Sequence, residues 1–372
     1  MPAAGPGEVP PLSYPGRFLH TSGIFNRYCI GHTLGRSVYK QHMHTFRWGI
    51  IGPGSIARDF ANDLKLVNGQ QHEVHAILGH SKEKTEEFAG EFSVPAIFYD
   101  IASFLHNPGF DAVYIATPHT LHYEQTGACL NAGIPVLCEK PITINIEQLE
   151  SLVRLAREKN TLLVEGMWIR FLPSIRQVLD IVGSGQIGKV IAVRANMSYK
   201  APKDDSNRYF NPELGGGSLL DLGVYPVFLA NLLLGKPPVV KAAGKLSDKG
   251  IDETCAALLG YPAGQYALIE SSIITQTDRT AEIYGDKGVI RILAPWNEKP
   301  AGIEVCIYNA ATTHVPCNWE GRGFQFEVEE VANCIKNGRI SSPLMAHQLS
   351  LDIMRTMDEI KDQLHVKYES YE

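Results

Sequence analysis

Residues 46–66, "FRWGIIGPGSIARDFANDLKL", carry the reading that decides the fold. A short apolar run, Trp48 to Ile51, breaks at Gly52-Pro53-Gly54, and Ile56, Phe60 and Leu64 then recur at helical spacing. A strand, a glycine turn and an amphipathic helix in direct succession open a βαβ unit. Across 52–57 the pattern is G-x-G-x-x-A. Gly52 permits the tight turn, Gly54 lets a backbone approach a pyrophosphate, and Ala57 keeps helix and strand close. The amides of Ser55 and Ile56, free at the helix start, then meet the phosphates. The motif is weak alone; its place between strand and helix gives it weight.

Working outward, apolar runs at 73–80, 111–119 and 133–140 end in polar residues, with helical stretches between them. That alternation predicts a parallel sheet covered on both faces. Open parallel sheets bind ligands beyond the carboxyl ends of their strands. Thr117-Pro118-His119 and Glu139-Lys140-Pro141 stand at such ends, which aims Lys140 into a cofactor crevice. At the end of the second strand an acid selects NAD, whereas a cation nearby accommodates NADP. Here Gly79 leaves room and His80, Ser81 and Lys82 offer donors, so NADP is favoured over NAD.

After a helix near 143–159 and a strand over 161–166, the texture changes to β-rich runs at 189–200, 266–276, 279–285 and 288–293. Successive strands without helices between them predict an open, mostly antiparallel sheet in a second, α+β domain. Its exposed face is a natural place for a homodimer or higher homo-oligomer. The tail from Phe324 to Leu364 reads as helical, with Phe326, Val331 and Ile335 on one face. The expected organisation is an extension over 1–45, a dinucleotide-binding domain over 46–167, and a substrate-binding and dimerisation domain over 168–372.

Composition narrows the partners. With Lys+Arg 34 against Asp+Glu 40, the 372-residue chain carries a net charge of -6. Nucleic acid and anionic membranes need a concentrated basic face, so neither is expected. Seven cysteines without a CxxC pair read as reduced thiols of a cytoplasmic protein, with no metal site. No apolar run was found that approaches the ~20 residues of a membrane span. The extension is rich in Pro, Gly and Ala and has no export-signal pattern. It reads as a flexible segment or an arm, and Met43 is a plausible alternative start.

Residues 213–233, "ELGGGSLLDLGVYPVFLANLL", are more specific. On a helix Asp221 and Tyr225 share one face, although Pro226 prefers a first turn. An alcohol that gives up a hydride must also lose a proton, so a general base has to be near. A tyrosine titrates too high unless an ammonium group favours its phenolate. Lys140 facing Tyr225 supplies that pair. Asp221 either binds substrate or orients Tyr225.

At these residues the chain resembles the Gfo/Idh/MocA oxidoreductases, from Phe46 to the end. The resemblance rests on Glu139-Lys140-Pro141, "EGMWIRFLP" at 165–173 and "GGGSLLDLGVYP" at 215–226. It looks most like the dimeric dihydrodiol dehydrogenase and NADP-dependent D-xylose dehydrogenase branch. The resemblance implies a Rossmann domain followed by the open sheet, Lys140 and Tyr225 as catalytic pair, and a cis Lys140–Pro141 bond. It also implies that His119 and His122 lie near the nicotinamide ribose and that Trp168 and Arg170 lie along the cofactor. Glu139 belongs to the same cofactor-facing motif. Inositol dehydrogenase-like members carry histidine where Tyr225 stands, which points to a sugar or cyclic diol substrate. The competing reading is a dinucleotide-sensing regulator without catalysis, which has no need of the Lys140–Tyr225 pair.

Overall fold

The computed structural model describes residues 44–106, 109–204 and 207–368. Met43 and almost all of the extension read over 1–45 lie outside them. Residues from Met43 onward form one compact unit.

The first half is a six-stranded parallel sheet: β1 (Phe46–Ile51), β2 (His72–Leu78), β3 (Ala96–Phe98), β4 (Ala112–Ile115), β5 (Val136–Glu139) and β6 (Leu163–Gly166). Their spatial order is β3-β2-β1-β4-β5-β6, so the order reverses between β1 and β4. Helices α1 (Ser55–Asp63), α2 (Lys82–Phe92), α3 (Ile101–Leu105), α4 (His122–Asn131) and α5 (Ile146–Glu158) accompany the strands. Every residue of β4, β5 and β6 is buried, the signature of strands covered on both faces. Phe60 of α1 seals one side of the sheet, its ring stacked 3.9 Å from that of Tyr114 and edge-on to Trp48. Ser81 and Asn145 cap α2 and α5 through their side chains, each satisfying an otherwise orphaned amide.

α6 (Pro173–Gly183) leads into the second sheet. Its strands are β7 (Val190–Ser198), β8 (Val239–Leu246), β9 (Asp252–Gly260), β10 (Tyr266–Ser272), β11 (Ala281–Gly285), β12 (Gly288–Ile292), β13 (Ile303–Ile307) and β14 (Thr313–Val315). The order is β14-β13-β12-β11-β7-β10-β9-β8. Within this sheet only the β7–β10 pair is parallel among the described strands. Burial alternates along β9 and β10, leaving Leu258 and Leu268 exposed on an open face.

The apolar helix α7 (Val224–Leu234) covers the other face, preceded by a π-helical turn over Leu219–Gly223. Pro226 falls in the first turn of α7, directly after the π-helical turn. The stretch Pro212–Leu234 is apolar and long enough to cross a membrane, contrary to the sequence reading, yet 83% of its most apolar window is buried inside the fold.

The helical tail is two helices, α8 (Phe324–Lys336) and α9 (His347–Leu364). Gly338 at positive φ and Pro343 lie in the gap. The inner face of α8 is Phe324, Val328, Val331 and Cys334; Phe326 and Ile335, expected with Val331, are only half-buried. The helix is rotated because Asp63 of α1 accepts the amides of Arg322, Gly323 and Phe324 at 2.8–3.1 Å and sets where α8 begins. The sequence reading missed β3, β8, β9, β13 and β14. β8 and β9 are rich in Ala and Gly rather than β-branched residues, so their alternation is faint.

Candidate active site

β1, β4 and β5 end side by side, and β5 delivers Glu139 and Lys140. Glu139 accepts the Tyr114 hydroxyl at 2.5 Å, which fixes the strand end from within the sheet. The Lys140–Pro141 bond is cis. Lys140 Nζ donates to the main-chain oxygen of Asp221 at 2.9 Å and lies 3.6 Å from its Oδ1. It also sits 4.8 Å from the centroid of the Tyr225 ring. The Tyr225 hydroxyl accepts from Trp168 Nε1 at 3.1 Å, and Trp168 stacks on Phe324. One cluster thus draws on β5, the π-helical turn, α7 and the segment after β6.

Asp221 is the charge centre of this cluster. Arg208 grips it with Nη1 on Oδ1 at 3.0 Å and Nη2 on Oδ2 at 3.2 Å. Burial works to raise its carboxyl, but Lys140 and Arg208 outweigh it and hold the group well below the usual carboxylate range. Lys140 shows the mirror image: burial works against its charge, while Tyr225, Asp221 and Glu139 raise it above an ordinary lysine. Tyr225 departs from the sequence expectation. Lys140 does pull its hydroxyl down, but burial is stronger and the net direction is upward from 10.0.

His119 Nδ1 lies 3.0 Å from the Gly215 carbonyl, so that nitrogen carries the proton. Burial pushes its pKa down to about 3, leaving a neutral ring whose Nε2 lone pair faces Asp221 Oδ1 at 3.5 Å. The proximity is not an ion pair at neutral pH. His122 is buried between the carbonyls of Thr117 and Pro141, each 2.9 Å from one ring nitrogen; burial lowers its pKa, and the neutral ring donates to one of the two.

Behind the π-helical turn, Asp252 accepts Ser218 Oγ at 2.6 Å and the Leu219 amide at 2.7 Å. Burial outweighs these hydrogen bonds, with no cation beside it among the described residues, and it rises to about 6.

Two cavities meet along the ends of β1 and β4. One, of about 610 Å³, is walled by Gly54, Lys140, Trp168, Arg208, Asp221 and Tyr225 among others, including Ser55, Ile56, Thr117, Pro118, His119 and Glu139. The other, of about 520 Å³, reaches past Gly52, Gly54, Thr117 and Pro118 to His80, Ser81 and Lys84. α1 starts at Gly54 with no side-chain cap and no acid in its first turn. Its open amides suit a dinucleotide's phosphates. Gly52 has φ +100, and a Cβ there would lie 2.8 Å from the Ala116 carbonyl, so only glycine makes this turn. Ala57 is buried where α1 meets the sheet.

Several candidates fall elsewhere. Lys82 points out and pairs with Glu86, while Lys84 lines both cavities. Gly79 lines the second cavity, but the direction a Cβ would take is filled by Thr85 Oγ1 at 2.2 Å and Pro53 at 2.9 Å, so packing as well as the cavity requires glycine there. Arg170 and His122 are buried and do not line either cavity. Arg208, Tyr209, Lys84 and Arg322 line the first cavity without having been singled out in the sequence. Arg208 belongs to a loop whose spacing gives no signal. Among the described residues no group of three His, Cys, Asp or Glu side chains is placed to hold a metal.

The two-sheet architecture agrees with what most of the chain matches. Residues 46–167 match the model of the oxidoreductase family with an NAD-binding Rossmann fold, and 175–291 match the Gfo/Idh/MocA C-terminal domain. The chain belongs to the Gfo/Idh/MocA oxidoreductase family. A trans-1,2-dihydrobenzene-1,2-diol dehydrogenase from Xenopus tropicalis is 32% identical to it over 333 residues, spanning 87% of this chain and 99% of that one. A D-xylose 1-dehydrogenase (NADP(+)) from Hypocrea jecorina is 30% identical, spanning 87% and 93%. A 3-ketoreductase from Actinomadura kijaniata, solved with NADP and TDP-benzene, superposes with a TM-score of 0.75 at 26% identity, covering 86% of this chain and 98% of that chain.

Proposed function

We propose that the protein is an NADP-dependent dehydrogenase of a sugar or cyclic diol hydroxyl, with Tyr225 as proton acceptor and Lys140 as its electrostatic partner. The observation that carries this reading is the Lys140 ammonium 4.8 Å from the Tyr225 ring, inside the cavity that the uncapped start of α1 opens into. A dinucleotide-sensing regulator has no use for such a pair. A bound nicotinamide supplies the hydride acceptor. The ionised Tyr225 oxygen takes the substrate's hydroxyl proton and becomes the neutral phenol, while Lys140 favours the phenolate beforehand and the alkoxide character that develops on the substrate oxygen. Trp168 holds the hydroxyl in place through its N–H, and Asp221 holds Lys140 at the strand end.

NADP is favoured over NAD because β2 ends without an acid and Ser81, His80 and Lys84 line the second cavity. Asp100, the acid on that wall, is engaged in capping α3 at Ser103. A relative that uses NADP(+) and a related structure that binds NADP support the same choice. We assign residues 46–167 to cofactor binding and the remainder from 168 to substrate, cytoplasmic location to the chain, and homodimerisation to the open face of the second sheet.

The test is a turnover screen of aldoses and trans-diols with each nicotinamide, followed across pH. Because burial raises Tyr225 above 10.0, kcat/KM for oxidation should still be rising at pH 9, whereas carbonyl reduction, which needs the protonated phenol, should be flat from pH 7 to 9. An oxidation rate that levels off near neutrality would take the tyrosine out of the base's role.

A further inference from the structure

We propose that Arg208 reads a second oxygen of the substrate, on the carbon beside the reacting one, and that Asp221 acts through Arg208 and Lys140 without touching the substrate. This rests on the Lys140–Tyr225 reading and adds to it the group that selects among alcohols.

Asp221 is poorly placed to meet a ligand. Its side chain is 5% exposed, and each carboxylate oxygen already accepts from the Arg208 fork, at 3.0 and 3.2 Å. Lys140 holds the main-chain oxygen of the same residue and approaches Oδ1 as well. A carboxylate so enclosed is an anchor, neither a base nor an open acceptor.

Arg208 is placed the other way. Its side chain is 50% exposed and lines the cavity that holds Lys140 and Tyr225. A guanidinium carries five N–H donors, and the fork on Asp221 uses two. The Tyr209 ring, 4.5 Å from the guanidinium carbon, and the two-point grip on Asp221 fix its plane before any ligand arrives. Ordering it on binding therefore loses little freedom.

The spacing selects the ligand. Lys140 Nζ and Arg208 Nη1 both face Asp221 Oδ1, at 3.6 and 3.0 Å, so their nitrogens stand no more than about 6.6 Å apart. Two donors that close match two oxygens on neighbouring carbons. The hydroxyl at Lys140 and Tyr225 reacts, and its neighbour is held by Arg208. A simple alcohol leaves the guanidinium desolvated and unpaired, which a site built to hydrogen-bond a hydroxyl rejects. Arg208 is thus the specificity residue, and Asp221 is a positioning residue behind it.

The test separates binding from chemistry. Protein loaded with NADPH binds an alcohol without oxidising it, so tryptophan fluorescence can titrate trans-cyclohexane-1,2-diol and cyclohexanol into that complex. The full chain should bind the diol more tightly. Arg208→Met should lower the diol-to-alcohol affinity ratio by roughly 10- to 100-fold, the worth of a hydrogen bond to a charged group. Arg208→Lys keeps a cation beside Asp221 but loses the fork, so its ratio should fall part of the way. It carries the test alone if the methionine variant does not fold. Equal weakening of both alcohols in the variants, or no diol preference in the starting protein, overturns the proposal. Wild-type turnover in Tyr225→Phe would remove the reaction-centre reading instead, and the binding ratio would still decide Arg208.

Discussion

The two ends of the crevice are built differently. At the reaction end Asp221 and Tyr225 are buried and Lys140 is only 11% exposed, and the charges of Lys140 and Asp221 are matched and pinned by direct contact. At the nucleotide end His80 and Lys84 are exposed, and Lys82 is drawn aside by Glu86. Charges in a dry, fixed site interact strongly and need no rearrangement when the reaction demands them. Exposed groups act only once a ligand arrives, and salt weakens them. Substitutions at the first end should therefore change rates and stability, and those at the second only affinity.

The sharpest break of that contrast is at the pair itself. Lys140→Met and Tyr225→Phe should each reduce turnover by about 10²–10⁴ while cofactor affinity stays within a few-fold. Groups acting as one unit are not additive, so the double variant should be hardly worse than either single one. Rate losses that multiply would show two independent roles.

Next comes the opposite treatment of two buried carboxylates. Asp221 is held ionised by cations, so its stabilising effect is present above the ordinary carboxylate value of 3.8 and lost only in stronger acid. Asp252, raised from 3.8 to about 6, contributes stability that is complete below 3.8 and disappears as pH rises through 6. Asp252→Asn cannot ionise. Relative to the unsubstituted chain its stability should rise between pH 4 and 7 by about 3 kcal/mol at most. Denaturant melts at the two pH values check this, and a constant difference would mean that Asp252 is ionised throughout.

At the nucleotide end, Lys84→Ala should weaken NADP by ~1–3 kcal/mol, leaving NAD binding and the melting temperature nearly unchanged. Lys82→Ala should do much less, because its partner is Glu86. Fluorescence titration of both nucleotides separates the two lysines. The smallest effect is expected from a chain that begins at Met43, since the residues from there onward form a unit of their own. It should melt within a degree or two of the full chain and bind NADP equally well; insoluble protein would mean that the extension is a structural arm.

Much of this was legible along the chain because it depends on neighbours in sequence. The turn at Gly52-Pro53-Gly54 and the helix behind it follow from backbone freedom and a 3.6-residue period. The parallel sheet follows from apolar runs alternating with helices, and Lys140 at a strand end follows from that sheet. Errors came where one residue of phase matters. Lys82 and Lys84 are two positions apart on α2, about half a helical turn, so one meets the cavity and the other solvent. The inner face of α8 shifted for a related reason: Asp63, some 260 residues away, sets where that helix starts.

Residue type and spacing by themselves determined the dinucleotide turn, the two-sheet architecture and the choice of Lys140 and Tyr225 as partners. Whether the ammonium lowers the phenol, what encloses Asp221 and which side chain faces the substrate were decided only by the tertiary structure. Burial opposes Lys140 at Tyr225 and wins, and a sequence does not state how much water a side chain loses. Arg208 meets Asp221 through a turn of the backbone that no local preference specifies. Charge is written in the chain, but its effect is set by solvent and distance, and both exist only once the chain has folded.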